Sequence, residues 1–280
     1  MNPFVSIVIT TKNEEKNIKN CLESILKQTY PRDKIEIIIV DNNSTDRTKE
    51  IASVITSEAK QSIRFFNRGP ERSAQRNFGM IQKAQGEYVM FIDADFILEK
   101  DLIEECVKNV KKDNGLIGLY IPLRWVGNNW IIKARGFERE FYDGTVLDAA
   151  RFIKKDIFIK ESGFDERLFA GEDWDLDKRI KKYGKIGLIK SKFLHHEDES
   201  INLKDFLRKI RYYSGNLSIY INKWGKNDKD IKKQFGILYR YFIVFFENGK
   251  WQKLISHPIL TFKMYWLKLL IGVSFLINKK

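Results

Sequence analysis

The sequence predicts an α/β fold: a mostly parallel sheet flanked by helices, with an apolar, basic helical extension at the C-terminus. Three observations carry that expectation. Short apolar runs alternate with helix-spaced segments through the first 100 residues, and such alternation builds parallel sheets with helices on both faces. The 280 residues are 43% hydrophobic, enough to bury a sizeable core, and 31% charged, too polar for a wholly membrane-embedded chain. The charge is also lopsided. Residues 201–280 hold 16 Lys/Arg against 4 acidic residues, a net of +12, whereas the first 200 residues hold 34 against 33. A nearly neutral body thus carries a tail suited to a polyanionic partner, either a membrane surface or nucleic acid.

The elements follow in order. Residues 4–9 form an apolar strand. Residues 14–28 read as a helix, with Ile18, Leu22, Ile25 and Leu26 at helical spacing, and Pro31 ends that region. Residues 35–40 are the second strand, and Ser44 or Thr45 is placed to cap a helix through Ile51 to about residue 57. Residues 63–66 are a short strand, 73–84 a helix closed near Gly86, 88–92 the fourth strand and 101–111 another helix. From 116 to 170 the pattern is less regular. Residues 115–123 and 145–152 read as strands around an aromatic, basic stretch containing Trp125, Trp130, Phe137, Phe141 and Tyr142. Residues 174–183 are a helix beginning right after Glu172-Asp173, with Asp175 and Asp177 expected at its solvent face, paired with Arg179 or Lys181. Residues 186–189 and 192–195 are short strands.

Residues 203–224 look helical, and two apolar blocks follow at 235–246 and 261–277, the second containing Lys263 and Lys268. Its longest charge-free run, 269–277, falls well short of the roughly 20 apolar residues that a spanning helix needs. The blocks suit an in-plane membrane anchor with Trp251, Tyr265 and Trp266 at headgroup level. Packing on the body or on another subunit is the alternative. The expected division is a body over 1–215 and a tail over 216–280. Cys21 and Cys106 lack metal-ligand spacing and suggest ordinary burial in a reducing compartment. The chain opens Met1-Asn2-Pro3 directly into a strand, so no signal peptide is expected.

In such a sheet, ligands collect beyond the carboxyl ends of the strands. Three polar strand ends are expected there: Thr10 to Glu14, Asp41 to Asp46, and Asp93-Ala94-Asp95. Carboxylates at i and i+2 on an extended chain point the same way and suit a hard cation such as Mg²⁺ or Mn²⁺, bound together with substrate phosphates. Arg72 and Arg76 are placed to offer positive charge to those phosphates. No glycine-rich loop follows the first strand, which argues against P-loop and dinucleotide-binding domains. It also argues against a nucleotidyltransferase.

The ordered set Val5 to Glu14, Val40 to Asp46, Arg76-Asn77, Asp93-Ala94-Asp95 and Gly171-Glu172-Asp173 resembles the family 2 glycosyltransferases over about residues 4–215. Thr10 stands where many members have Pro, and Lys12 where an aromatic is frequent. The resemblance implies the GT-A fold, a DXD metal motif and inverting transfer. It implies that Thr10 and Glu14 flank the nucleotide, Asp41 contacts the base (typically uracil) and Arg72 or Arg76 lies near the nucleotide. Asp93 would face the ribose or donor sugar, Asp95 would bind the metal, and Asp173 would be the general base. His196, in His195-His196-Glu197, resembles the His that completes the metal site in some members. The expected function is a Mg²⁺- or Mn²⁺-dependent inverting transfer from a nucleotide sugar, most simply a UDP-sugar, to a membrane-linked acceptor. A polyprenyl phosphate or lipid-linked glycan would serve. The expected location is the cytoplasmic face of the cell membrane, peripherally attached. The rival is a non-enzymatic polyanion-binding protein with a nucleic-acid-binding tail. The blocks after residue 235 are too apolar for that, so nucleic acid is not an expected partner.

Overall fold

The computed structural model describes residues 2–59, 62–196 and 199–277. The chain forms two compact units. The first comprises Met1–Pro122, Ala149–Arg167 and Glu172–Leu194; the second comprises Leu123–Asp148, Leu168–Gly171 and His195–Lys280.

The strands are β1 (Val5–Thr11), β2 (Ile35–Asp41), β3 (Ile63–Asn67), β4 (Tyr88–Asp93), β5 (Phe96–Leu98), β6 (Leu116–Tyr120), β7 (Leu123–Val126), β8 (Phe152–Lys154), β9 (Lys185–Leu188) and β10 (Phe193–His196). The central sheet of the first unit has the order β3-β2-β1-β4-β8-β6-β9. Its first four strands are parallel, as the alternation predicts. β1 and β2 are buried along their whole length, which fits apolar strands covered on both faces. β8 enters antiparallel to β4 and β6. Val8, Val40, Phe91, Ile153, Phe158 and Leu176 belong to the core on one side of this sheet. Cys21 and Cys106 are buried, as expected.

The expected helix over 73–84 is Arg72–Asn77 running into a π-helical stretch, Phe78–Lys83. Gly79 lies so close to β1 that a Cβ there would come within 2.5 Å of Val8 Cγ1. Asn77 is buried and acts as a clasp. It accepts from the Phe164 N–H (2.7 Å) and donates to the Phe164 carbonyl (2.9 Å). Asn77→Ala leaves both backbone groups unpaired, and each such loss costs about 1–3 kcal/mol. A clear drop in thermal midpoint is expected for that variant; an unchanged midpoint would show that the clasp contributes nothing.

Three expectations need correction. Residues 145–151 are not a strand, because the Asp148 carboxylate accepts from the Gly144 N–H (2.9 Å) and pairs with Arg139 (3.0 Å), folding the chain into turns. The aromatic stretch before them is a helix, Trp130–Glu140, capped by the Asn129 side chain on the Ile131 N–H. Asp175 and Asp177 do pair with Arg179 and Lys181, but they are buried rather than solvent-facing. Asp177 also accepts from Tyr120 and from the Ala150 N–H, which ties its helix to the sheet. The helix over 203–224 is two, Leu203–Gly215 and Leu217–Trp224.

In the second unit the helix Pro258–Ile277 packs on Trp130–Glu140, with Ile131, Ala134, Phe206 and Leu267 in a shared core. Lys268, inside the second apolar block, is buried, with its Nζ 2.7 Å from Glu138, whose carboxylate also pairs with Arg135. Burial alone would push Glu138 up, but the Lys268 and Arg135 cations hold it far below the usual carboxylate range. Among the described residues no helix is long and apolar enough to cross a membrane.

Candidate functional site

Parallel register brings the polar strand ends to one edge. Thr10 is opposite Val40 and Asp93, and Thr11 is opposite Asp41. Asp41 is buried and serves its own loop: Oδ1 accepts from Thr11 Oγ1 and Ser44 Oγ (both 2.6 Å), and Oδ2 from the Ser44 N–H (2.7 Å). Lys12 Nζ bridges the carbonyls of Asn42 (2.6 Å) and Asn43 (3.0 Å). The tight loops place Asn13 and Asn43 in the left-handed region, at φ 57° and 50°, which asparagine tolerates. Gln75 Nε2 donates to the carbonyls of Thr11 and Val40, fixing the Arg72–Asn77 helix against the same edge. Glu14 is half-buried, and that burial raises its carboxyl. A hydrogen bond from Asn17 lowers it in part, while the charges of Asp95, Asp93 and Asp46 add to the rise.

Beside these ends lies a cluster of three carboxylates and three guanidinium groups. Arg76 is its centre and is almost fully buried. Its Nη2 donates to Asp93 Oδ1 (2.9 Å), and its Nη1 to Asp173 Oδ1 (3.0 Å) and Glu172 Oε1 (3.4 Å). Its guanidinium lies 4.5 Å from the Phe91 ring centroid and 5.3 Å from that of Phe164, a favourable cation–π arrangement. Arg72 Nη2 is 3.2 Å from Glu172 Oε1, and Arg151 Nη2 is 3.8 Å from Asp173 Oδ2. Thr10 Oγ1 reaches Asp93 at 3.5 Å.

The charges set one another. Burial would raise Asp93, but the Arg76, Arg151 and Arg72 cations hold it well below the carboxylate range. Burial would lower Arg76, and Asp173, Asp93 and Glu172 more than offset this. Glu172 goes the other way: burial, and then the adjacent Asp173 charge, push it up to about 7 despite Arg72 and Arg76. Both Glu172 and Asp173 open the helix Glu172–Ile180, where the backbone dipole favours negative charge. Gly171, just before it, has φ 79° and lies 3.0 Å from Tyr220 measured at a notional Cβ, so a side chain there would be strained and crowded.

The sequence-predicted residues are thus unequally placed. Arg76 serves carboxylates rather than reaching outward, whereas the Arg72 side chain keeps 40% of its surface exposed. Asp93 and Asp95 do not share one extended segment. β4 stops at Asp93, and the chain turns before β5, so the i, i+2 argument from strand geometry fails there. His196 lies exposed at the end of β10 in the second unit, and Glu197 lies outside the described residues. Trp125 packs edge-on against His195 (4.9 Å), and Trp130 packs on the second unit's helical core.

Sequence reasoning missed Arg151. It directly precedes β8, and an antiparallel strand delivers its first residue to the edge where β4 delivers its last. No local pattern announces that. Among the described residues no three Asp, Glu, His or Cys side chains gather into a closed metal site. The oxygen donors fit a different mode. Mg²⁺-type ions are held by one or two carboxylates plus substrate phosphates, and Asp95, half-buried at the turn, offers such a carboxylate.

The chain is similar to known proteins in sequence and in fold. Residues 6–161 match the family described as Glycosyl transferase family 2. The chain is 36% identical over 200 residues to glycosyltransferase AglE of Haloferax volcanii, covering 65% of this chain and 62% of that protein. It is 27% identical over 219 residues to a dolichyl N-acetyl-alpha-D-glucosaminyl phosphate 3-beta-D-2,3-diacetamido-2,3-dideoxy-beta-D-glucuronosyltransferase of Methanococcus voltae, again covering 65% and 62%. The chain therefore spans under two thirds of the length of these relatives. The mannosyltransferase PcManGT from Pyrobaculum calidifontis, in complex with GDP-Man and Mn²⁺, has a similar fold, with a TM-score of 0.66 at 18% identity over 100% of this chain and 89% of that one.

Proposed function

This chain belongs to glycosyl transferase family 2, and from that premise we propose that it moves a sugar, with inversion, from a nucleoside-diphosphate sugar to a lipid-linked or glycan acceptor. The observation that carries the reading is the Arg76 bridge, which joins Asp93 and Asp173 in one hydrogen-bonded unit.

In this reading the acceptor hydroxyl attacks the anomeric carbon from the face opposite the diphosphate. Asp173 takes the hydroxyl proton as the new C–O bond forms. The bond to the diphosphate oxygen breaks, and its electron pair leaves with the diphosphate. Arg76 orients Asp173, and Asp93 faces the ribose or donor sugar. Thr10, Glu14 and Asp41 border the nucleotide; Asp41 Oδ2, which accepts one hydrogen bond, has a second lone pair left for a base N–H. Arg72, with its exposed guanidinium, is the better placed of the two arginines for a phosphate. Asp95 would hold a Mg²⁺ or Mn²⁺ ion, which when bound offsets charge on the departing diphosphate. A UDP-sugar is the donor that the sequence resemblance favours. The similar mannosyltransferase binds GDP-Man, so both bases belong in the test. A lipid-linked acceptor and peripheral attachment at the inner face of the membrane fit the basic, apolar tail.

The test is thermal stabilisation by UDP, GDP and their sugars, with Mn²⁺ or with EDTA. Ligand at about 100 times its dissociation constant contributes about 2.7 kcal/mol. One nucleotide should stabilise the protein with Mn²⁺, lose most of that effect in EDTA, and lose it equally in Asp95→Ala. Equal stabilisation of Asp95→Ala would remove Asp95 from the metal site.

A further inference from the structure

We infer that one face of the helix Pro258–Ile277 docks on an anionic phospholipid bilayer. Ile259, Phe262, Trp266, Leu269 and Val273 follow the 3-and-4 spacing that aligns side chains along a helix. Their exposures are 69%, 69%, 48%, 52% and 39%.

The rotation of the helix is fixed from its other side. Met264 and Leu267 are buried, and Lys268 is anchored to Glu138 inside the unit. Tyr265 Oη donates to the Tyr241 carbonyl (2.9 Å), and Tyr241 Oη donates to the Lys268 carbonyl (3.1 Å). These bonds seat the segment Tyr239–Phe246 alongside, and it too exposes Phe242, Ile243 and Phe246. Twelve of the twenty large apolar side chains exposed among the described residues lie between Ile237 and Val273. Contiguous apolar surface of that kind marks an interaction face.

Charge selects the occupant. A second copy would bring two tails of net +12 together. An anionic bilayer attracts the same charge, at about 1 kcal/mol per Lys or Arg held near the surface. The helix is not apolar enough to span, so it lies in the plane with Trp251 and Trp266 at headgroup depth. This deepens the peripheral attachment proposed above and is independent of the transfer chemistry.

The experiment is co-sedimentation of the full chain with phosphatidylglycerol/phosphatidylcholine vesicles and with phosphatidylcholine vesicles. Phe262→Ser/Leu269→Ser is the variant, since both side chains are exposed and the fold does not depend on them. The parent should pellet with the anionic vesicles, and the variant's partition coefficient should fall by about tenfold or more. Its thermal midpoint and nucleotide-dependent stabilisation should match the parent's. Equal pelleting of parent and variant overturns the proposal. So does a parent that ignores vesicles and sediments as a dimer that the variant dissociates, because the face would then meet a second copy. Loss of nucleotide stabilisation in the parent itself would sink the donor reading and leave the docking face standing.

Discussion

Asp173→Asn is expected to lower the rate of sugar transfer by about 10²- to 10⁴-fold, the range a positioned general base contributes. The substitution keeps the shape of the side chain. Its amide oxygen still accepts from Arg76 Nη1, which in the native protein lies 3.0 Å from Asp173 Oδ1. Proton-accepting capacity is what disappears. Nucleotide binding, measured as thermal stabilisation, should therefore stay within a factor of about two of the parent, because base removal acts on the transition state and not on donor affinity. Glu172→Gln is the companion. Glu172 is buried on Arg72 and Arg76, and its loss should change stability more than rate. A fully active Asp173→Asn protein would move the base elsewhere. Activity falling alike in both variants would assign the two carboxylates one shared electrostatic role.

Arg76→Met is expected to be the most destabilising single substitution at the site, by about 3–5 kcal/mol, the cost of removing one partner from a buried ion pair. Methionine fills the volume between Phe91 and Phe164, so the loss is of charge more than of packing. Three carboxylates then face one another with only Arg72 and Arg151 near. The pH dependence should steepen. In the parent, Asp93 titrates below its unfolded value, so its contribution is complete above about pH 4 and fades as pH falls further. Glu172, pushed up to about 7, already gives the parent some gain in stability from pH 8 to pH 5; without Arg76 the other carboxylates also bind protons more readily when folded, so the variant should gain more than the parent over that range. Denaturant unfolding at the two pH values measures this. Parallel pH profiles for parent and variant would mean that Arg76 does not set the charge balance. Arg76→Lys should recover only part of the loss, since one ammonium cannot reproduce a fork that bonds Asp93 and Asp173 together.

The first 100 residues were readable because β1 and β2 are buried apolar runs joined by amphipathic helices, so periodicity and turn residues agree. The same reading placed Thr10, Asp41 and Asp93 at one edge, since parallel strands put their last residues on the same side. It failed where local pattern and tertiary contact disagree. β8 is only three residues long and its partners lie far away in sequence, so its apolar signal drew in the turns before it. Helix Trp130–Glu140 hides a buried glutamate among aromatics, and a lysine 130 residues away is the first of the cations that make that burial tolerable. Arg76 looked like a phosphate ligand because the sequence gives no sign that three acids, 17, 96 and 97 residues further on, would surround it.

The antiparallel insertion of β8 has a mechanical consequence. Its ladder to β4 has three residue pairs and its ladder to β6 two, against seven between β1 and β2. The sheet is thus a stiff parallel plate with a narrow hinge strip along one side, and local opening concentrates where few bonds must break. Arg151 sits on that strip. Its carbonyl accepts from the Phe91 N–H (3.2 Å), and its own N–H donates to the Leu119 carbonyl (3.0 Å). Breathing of the strip would move the Arg151 cation relative to Arg76, whose helix Gln75 fixes to the edge of the plate. The two cations at the site thus rest on parts of the unit that can shift against each other.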